Sequence, residues 1–586
     1  MKQIWLSLEN FVNSTSNTQV FLVLVLVGFL TYFNSLFNGF VQDDYSMILE
    51  NPVVHSLRSL PYAFKGSSFS FGTTISDIYY RPLSTVSFTL IYALFGPRPF
   101  YFHFLQIGIH ITNTFLIYLI FRGFFKNTLA AALSLIFLVH PLNAESVLYI
   151  SALQGVIFTL LGLGAFLLLR SQNTGSLKFY QAALLLFAAF LSKESALVLV
   201  PIFLFYASLY LKKHLPLFMA LCAAAALAYG FLRFVTLGFF QVLDTVSPMM
   251  QLGLGQRLLN IPGIIYFYLS TFFLPTHLST GQVWVVASPN FNNFYLPLAA
   301  TALFLGLLFG LGRFVFSRRR AAFPPFIFFC VWFVFGLLPY LQIVPLNQTV
   351  AERYFYLASI GLLGVIGTAI QLLKVTTPGL KALVTVLTLL FISGLLVRTV
   401  VRNSDWKNGQ ALARHDLAYS GPSYVLENAL GYELSKAGDL LGAEKHYLES
   451  VKLVPNWWIS LNNLGSVQFK YTRAGHPDYL PRARDSFQQS ATHSGNFSTP
   501  YENLATLYFS AGDHLKTQQF VSTAVNKFPQ NAKLWFFLGL TEHELGNTDS
   551  AREAMRKAAL LDAGNSQYRQ LYQQLLQNTP FQIQNL

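Results

Sequence analysis

Two adjacent carboxylates, Asp43 and Asp44, close the string Asn38-Gly39-Phe40-Val41-Gln42-Asp43-Asp44, directly after an apolar run long enough to cross a bilayer. Charged side chains at such a position are costly to desolvate and are kept for partners or for work. Further titratable groups gather at the ends of other apolar runs: Arg81 before Pro82, His103, His110, His140, Glu145, Lys193, Glu194, Glu352 and Arg353. Each has an ordinary reading alone. The aspartates could simply face water, and Arg81 and Lys193 could snorkel to lipid headgroups. Arg353 could pair with Glu352, and His103 and His110 could be hydrogen-bonded between packed helices. Together they describe a membrane-level cavity holding carboxylates and cations. That set suits a base acting on a hydroxyl and cations holding a phosphate, for which the planar fork of Arg353 is well shaped.

The elements that must position these groups are helices in a membrane. The chain has 586 residues, of which 53% are hydrophobic and only 11% charged, with mean hydropathy +0.46. Soluble domains carry roughly 25% charge, so the composition excludes a protein soluble throughout and a disordered one. Cys222 and Cys330 both lie in apolar runs, which excludes a disulfide framework and a cysteine zinc site. Apolar runs fall near 19–37, 102–121, 128–149, 151–169, 179–192, 196–211, 215–235, 292–312, 323–344, 356–373 and 381–399. The first starts too late, and is too long, for a cleaved leader. A further run at 257–275 is broken by Pro262.

Charge decides how to count it. With the N-terminus inside and 257–275 treated as a re-entrant or interfacial helix, the inner loops hold Arg122/Lys126, Arg170/Lys178, Lys212/Lys213, Arg313 with Arg318, Arg319 and Arg320, and Lys374/Lys381. None of these loops has an acid. Asp43, Asp44, Glu50, Asp77, Glu145, Glu194, Asp244 and Glu352 all fall outside, leaving only Glu9 within. Eleven spans follow, and an odd number places the C-terminal part outside.

Residues 1–400 hold 22 of the 39 Lys and Arg but 9 of the 25 Asp and Glu, a net of +13. Residues 401–586 are nearly neutral. The basic residues are scattered through short turns rather than clustered on a face, which argues against nucleic acid as a partner. The C-terminal part repeats. Leu430-Gly431 recurs as Leu464-Gly465, Leu504-Ala505 and Leu538-Gly539, at spacings of 34, 40 and 34 residues. Behind them stand Ala443/Tyr447/Ser450, Ala483/Phe487/Ser490, Thr517/Val521/Ala524 and Ala551/Met555/Ala558. The second repeat carries an insertion near Gly475–Pro481. This period and pattern is that of the tetratricopeptide repeat (TPR). Repeats at about 424–457, 458–497, 498–531 and 532–565 with a capping helix at 566–577 are expected, and segment 403–420 is expected to start the solenoid. Such arrays offer a concave groove for peptides, or merely hold a protein in a complex.

The expected fold is therefore all-α: a polytopic membrane bundle over 1–402, whose first outer loop at 38–101 carries the Asp-Asp motif, then a TPR solenoid over 403–586. Several motifs in order resemble the GT-C integral-membrane glycosyltransferases, and most closely the TMTC family of O-mannosyltransferases with C-terminal TPRs. They are Asp43-Asp44 with Asn51-Pro52, Tyr80-Arg81-Pro82-Leu83, Phe102-His103 with His110, His140-Pro141 with Glu145-Ser146-Val147, Lys193-Glu194, and Glu352-Arg353-Tyr354-Phe355-Tyr356-Leu357. The sequence departs from the family at Gln106, Asn143 and Ala358, where Asn, His and Pro are frequent.

The resemblance implies a polyprenyl-phosphate sugar donor and Asp43 or Asp44 as catalytic base. Arg353, Lys193, Arg81 and Glu352 would serve the phosphate and substrate, with His140, Glu145, His103, His110 and Glu194 orienting the site. The acceptor would be an exported polypeptide carried by the TPR groove, with Ser or Thr receiving a mannosyl-type sugar with inversion. No resident cofactor or metal site is expected, and a divalent cation is left open. The implied location is a bacterial inner membrane with site and repeats periplasmic, or an ER membrane with them lumenal. Transfer to a lipid or glycan, and a TPR scaffold without catalysis, are the rival readings. A transporter fits less well, because the charges stand at span ends rather than at the midplane.

Overall fold

The computed structural model describes residues 16–66, 79–171, 175–237, 247–373, 377–495, 497–562 and 564–577. The sequence expectations placed on Glu9, Asp77, Asp244 and Lys374 lie outside them. Among the described residues there is no β-strand, only one isolated bridge between Gln282 and Val350. Contacts divide the chain after Gly421.

In the first unit α1 (Asn17–Tyr32) runs into a 3-10 turn ending at Phe37, and the Asp-Asp loop follows. After it come α2 (Pro82–Phe95), α3 (Pro99–Arg122), α4 (Asn127–Val139), α5 (Ala144–Leu148), α6 (Leu153–Arg170), α7 (Leu177–Ser192), α8 (Leu199–Tyr210) and α9 (Leu215–Leu237). Then follow α10 (Ile261–Phe273), α11 (Leu296–Arg318), α12 (Phe323–Leu337), α13 (Tyr356–Leu372), α14 (Pro378–Asp405) and α15 (Gly409–Ser420). Among the described residues, eight helical stretches are long and apolar enough to cross a bilayer, nine if the bent pair at 127–148 is one span. The expected spans at 179–192 and 196–211 form shorter apolar helices on either side of Lys193. A short apolar helix, α2, also forms inside the expected first outer loop. With 13 residues, α10 is shorter than the roughly 20 a crossing needs.

The run at 128–149 differs from the single straight span expected of it. It bends by 51° at His140. Pro141 disfavours the helical conformation in the residue before it, and His140 is extended. The carbonyls freed by the break must find donors. Asn143 Nδ2 donates to Phe137 O at 2.8 Å, Tyr32 Oη to Leu138 O at 3.2 Å, and Thr399 Oγ1 to Val139 O at 2.6 Å. The break therefore sits in the bundle interior, and it is what lets α5 swing Glu145 toward Arg353.

Helices α12 and α13 cross closely. A Cβ on Gly336 would lie 2.9 Å from Ala358 Cα, and one on Gly361 would collide with the Phe333 backbone. Small residues permit such an approach in membrane bundles, and Trp332 Nε1 donates to Leu357 O across it at 3.1 Å.

The boundary expected at 402/403 moves, because α14 continues to Asp405 and α15 is tied into the first unit rather than starting the solenoid. Asp416 on α15 accepts from Thr280 N at 2.7 Å and Thr280 Oγ1 at 2.6 Å. It also meets Arg402 Nη1 at 3.2 Å, and Arg402 is fully buried.

The second unit is a row of helical hairpins. These are α16 (Tyr424–Lys436) with α17 (Leu440–Leu453), α18 (Trp458–Arg473) with α19 (Tyr479–His493), α20 (Thr499–Ser510) with α21 (His514–Lys527), and α22 (Ala532–Glu544) with α23 (Thr548–Leu561), closed by α24 (Ser566–Gln577). Gly431 packs against the Tyr447 ring, Gly465 against Phe487 and Gly539 against Met555. Each hairpin turn carries a glycine in the left-handed region: Gly438, Gly475, Gly512 and Gly546, at φ between +74° and +97°. A side chain there would be strained, so these glycines end the first helix of each pair.

Candidate active site

The Asp-Asp loop is anchored on the C-terminal end of α14. Asn38 Nδ2 donates to Asn403 O at 3.0 Å, and Gly39 N to Lys407 O at 2.9 Å. Gln42 adopts φ +49°, a conformation rare for a residue with a side chain. The two carboxylates then part company. Asp44 is fully buried and accepts from Val41 N at 3.0 Å, Ser151 N at 2.7 Å and Ser151 Oγ at 2.5 Å. Burial outweighs those hydrogen bonds and pushes its carboxyl up to about 7. Asp43 is exposed, and its backbone N–H donates to Tyr149 Oη at 3.2 Å.

The cations are brought to the same place. Arg353 pairs with the fully buried Glu145, which accepts from both its guanidinium and its backbone N–H, the latter at 2.9 Å. Arg353 Nη2 also donates to Gln348 Oε1 at 3.1 Å. A guanidinium carries more N–H donors than these contacts use, and this one is 20% exposed. It lies 5.6 Å from the Tyr149 ring and 5.2 Å from the Tyr354 ring. Lys193 Nζ faces Tyr354 from 5.8 Å and Tyr340 from 5.7 Å, and those two rings are stacked at 4.3 Å. Lys193 is 8% exposed, and among the described residues its Nζ has no hydrogen-bond partner. Desolvation, reinforced by Arg81 and Arg353 and opposed by Glu194 and Glu145, pushes its pKa down to about 7. Arg81 makes a two-pronged pair with Glu194, at 2.9 and 2.5 Å, and sits over the Tyr79 ring at 4.1 Å.

Asp43, Arg353, Lys193, Arg81, Glu145 and Glu194 thus form one electrostatic cluster. Three cations and three carboxylates meet there; Arg81 and Arg353 each have a carboxylate in direct contact, and Lys193 has none among the described residues.

The remaining sequence candidates lie elsewhere. Glu352 points away from Arg353 toward Arg402, 3.8 Å off, inside the buried group that also contains Asp416. A place on the phosphate is therefore not open to it in this arrangement. His110 is a packing histidine, bonded to Tyr356 Oη at 2.8 Å and Leu138 O at 3.0 Å. His140 accepts from Leu142 N at Nδ1, donates from Nε2 to Phe272 O at 2.9 Å, and stacks on the Phe272 ring. It shapes the break before α5 rather than reaching the cluster. His103 is buried without a well-formed hydrogen bond. The sequence reading missed Tyr149, Tyr340, Gln348 and Ser151, and had Tyr354 only as a member of the motif that follows Arg353. Tyrosine is frequent in this chain, with 29 copies, so no single one stands out; only the position of Tyr149 between the Glu145 motif and the next apolar run marks it.

Comparison with known proteins bears on the same two parts of the chain. A tetratricopeptide-repeat family model matches residues 532–565, the last expected repeat. Protein O-mannosyl-transferase TMTC3 of Homo sapiens is 25% identical over 600 residues, covering 93% of this chain and 64% of its own length. Its curated relatives are protein O-mannosyl-transferases. Another, F38B6.6 of Caenorhabditis elegans, is 26% identical over 457 residues, 74% of this chain and 63% of that protein. The chain thus spans a little under two thirds of the length of these TMTC-type relatives. Among solved structures, ArnT from Cupriavidus metallidurans bound to undecaprenyl phosphate aligns over 79% of this chain and 80% of its own at 15% identity, with a TM-score of 0.34.

Proposed function

We propose that the chain is an integral-membrane glycosyltransferase that moves a sugar from a polyprenyl-phosphate donor to a Ser or Thr hydroxyl of an exported polypeptide. The observation that carries this reading is the separation of the two aspartates: an exposed carboxylate, Asp43, stands beside a cationic cluster, while its neighbour is sealed away. The similarity to protein O-mannosyl-transferases supports the sugar class and the acceptor. In the reaction Asp43 takes the acceptor's hydroxyl proton, and the freed oxygen bonds to the anomeric carbon. The bond from that carbon to the phosphate oxygen breaks, polyprenyl phosphate leaves with the electron pair, and the configuration inverts. A donor phosphodiester carries one negative charge, and Lys193, which has no carboxylate in direct contact, meets it in its ammonium form. As the leaving phosphate gains charge, Arg353 binds it more strongly in the transition state than in the ground state. The TPR unit would present the acceptor.

The test is transfer of labelled mannose from polyprenyl-phosphate mannose to an acceptor protein by the purified full-length chain. Asp43→Asn should lower turnover by about 10²–10⁴-fold, the usual contribution of a general base. Undiminished transfer in Asp43→Asn would remove the mechanism. Transfer to lipid or glycan, with none to protein, would replace the acceptor and keep the chemistry.

A further inference from the structure

The Asp43 loop has a problem of position. A base must sit within hydrogen-bond reach of the hydroxyl it deprotonates, at a fixed offset from the group that holds the donor. Asp43 is exposed, belongs to no helix, and follows Gln42 at φ +49°. A strained residue of this kind persists only where its surroundings over-determine it.

One short stretch supplies that restraint. Ser151 clasps the Asp44 carboxylate through its backbone N–H and hydroxyl, and Tyr149 Oη accepts the Asp43 N–H at 3.2 Å. The same Tyr149 ring lies 5.6 Å from the Arg353 guanidinium, and Glu145, four residues earlier, holds that arginine. Tyr149 is itself fixed. It is 3% exposed, its carbonyl accepts from Gln106 Nε2 at 2.8 Å, and Trp406 packs on it at 5.8 Å between ring centres. Because the phenol oxygen accepts from the Asp43 backbone, its own proton is left to donate, and the Asp43 carboxylate is a hydrogen-bonding neighbour.

We propose that Tyr149 is a positioning residue for the transfer reaction, setting the offset between the Asp43 base and the Arg353 phosphate site. The inference rests on the transferase reading above. It gives the hydroxyl and the ring separate duties: the hydroxyl serves the base, and the ring serves the arginine. A tyrosine that only fills space between α5 and α6 would need the ring alone.

The experiment uses the full-length chain in nanodiscs, with polyprenyl-phosphate mannose as donor and with kcat, donor KM and melting temperature as readouts. Three forms are compared: wild type, Tyr149→Phe and Asp43→Asn. Tyr149→Phe keeps the ring, so the donor KM should stay within about twofold and thermal stability should hold. Loss of one hydrogen bond near the base should lower kcat by about tenfold. A lowered kcat at an unmoved donor KM is the split that a packing role alone would not produce. An unchanged kcat in Tyr149→Phe, with Asp43→Asn inactive, would overturn the role of Tyr149 and leave the transferase reading standing. A lowered kcat accompanied by a lowered melting temperature would likewise reduce Tyr149 to packing. Full activity in Asp43→Asn would instead remove the transferase mechanism, and this inference with it.

Discussion

Lys193 allows a quantitative test. It lies in the turn between α7 and α8, 8% exposed, with two tyrosine rings and no hydrogen-bond partner for its Nζ among the described residues. Burial first, then Arg81 and Arg353, bring its pKa down to about 7. If the donor phosphate binds the ammonium, the uncharged amine is the wrong form. About half of the free protein carries the charge at pH 7 and about 3% at pH 8.5, so apparent donor affinity should fall about 16-fold over that interval. That is about 1.6 kcal/mol. The donor cannot cause this trend, since a phosphodiester keeps its single charge throughout. Stability should move the other way. The amine titrates near 10.5 when unfolded, so between about 7 and 10.5 the unfolded chain binds the extra proton and stability of the ligand-free protein rises with pH. Equilibrium binding of labelled polyprenyl-phosphate mannose at several pH values, with thermal unfolding alongside, reads both. Lys193→Met keeps an apolar stem without the charge and should bind weakly with no slope across this range. A flat wild-type affinity from pH 7 to 8.5, or an equal slope in Lys193→Met, would refute the assignment of Lys193 to the phosphate.

Asp44→Asn should destabilise the chain by about 1–3 kcal/mol, because one carboxylate oxygen that now accepts from Ser151 or Val41 becomes a donor facing donors; a protein with unchanged melting temperature counts against the clasp. Arg353→Lys cannot reproduce the fork that meets Glu145 and Gln348, and should keep some donor binding while losing about tenfold or more in kcat; equal turnover would leave Arg353 a purely structural ion pair. Single cysteines at the exposed positions Ser317 and Asn526, introduced with Cys222 and Cys330 replaced, should label from opposite sides of the membrane. Labelling from one side would break the eleven-span arrangement and with it delivery of an exported acceptor.

The parts of this fold written in local pattern were legible. Each expected span corresponds to helix, since twenty-residue apolar runs have few alternatives in lipid. The repeat boundaries follow from small residues that let paired helices touch, as Gly431 does with Tyr447. What could not be read were choices made by partners distant in sequence. His140 was legible as polar and unusual, yet its bonds run to Leu142 and Phe272, and its function is to break a helix. Glu352 and Arg353 are neighbours in sequence and face opposite ways, one to Arg402 and one to Glu145. The domain edge was misplaced because Asp416 looks like any charged residue of a solenoid helix until Thr280, 136 residues earlier, is found donating to it twice.

The adjacent aspartates carry the same lesson into chemistry. A pair of neighbouring carboxylates in a loop reads as one feature, with roles that sequence cannot divide. Backbone geometry divides them. The turn at Gln42 directs Asp44 inward, where three donors hold it and no acceptor hydroxyl can reach, and leaves Asp43 facing out. The buried carboxylate fixes the loop and the exposed one is open to solvent. Both are restrained from the 149–151 turn, while Glu145, on the helix that leads into it, fixes Arg353. Asp43 and Arg353 therefore share one support, which follows the kink at His140. A straight helix over 128–149 would have kept every residue type and carried none of this geometry.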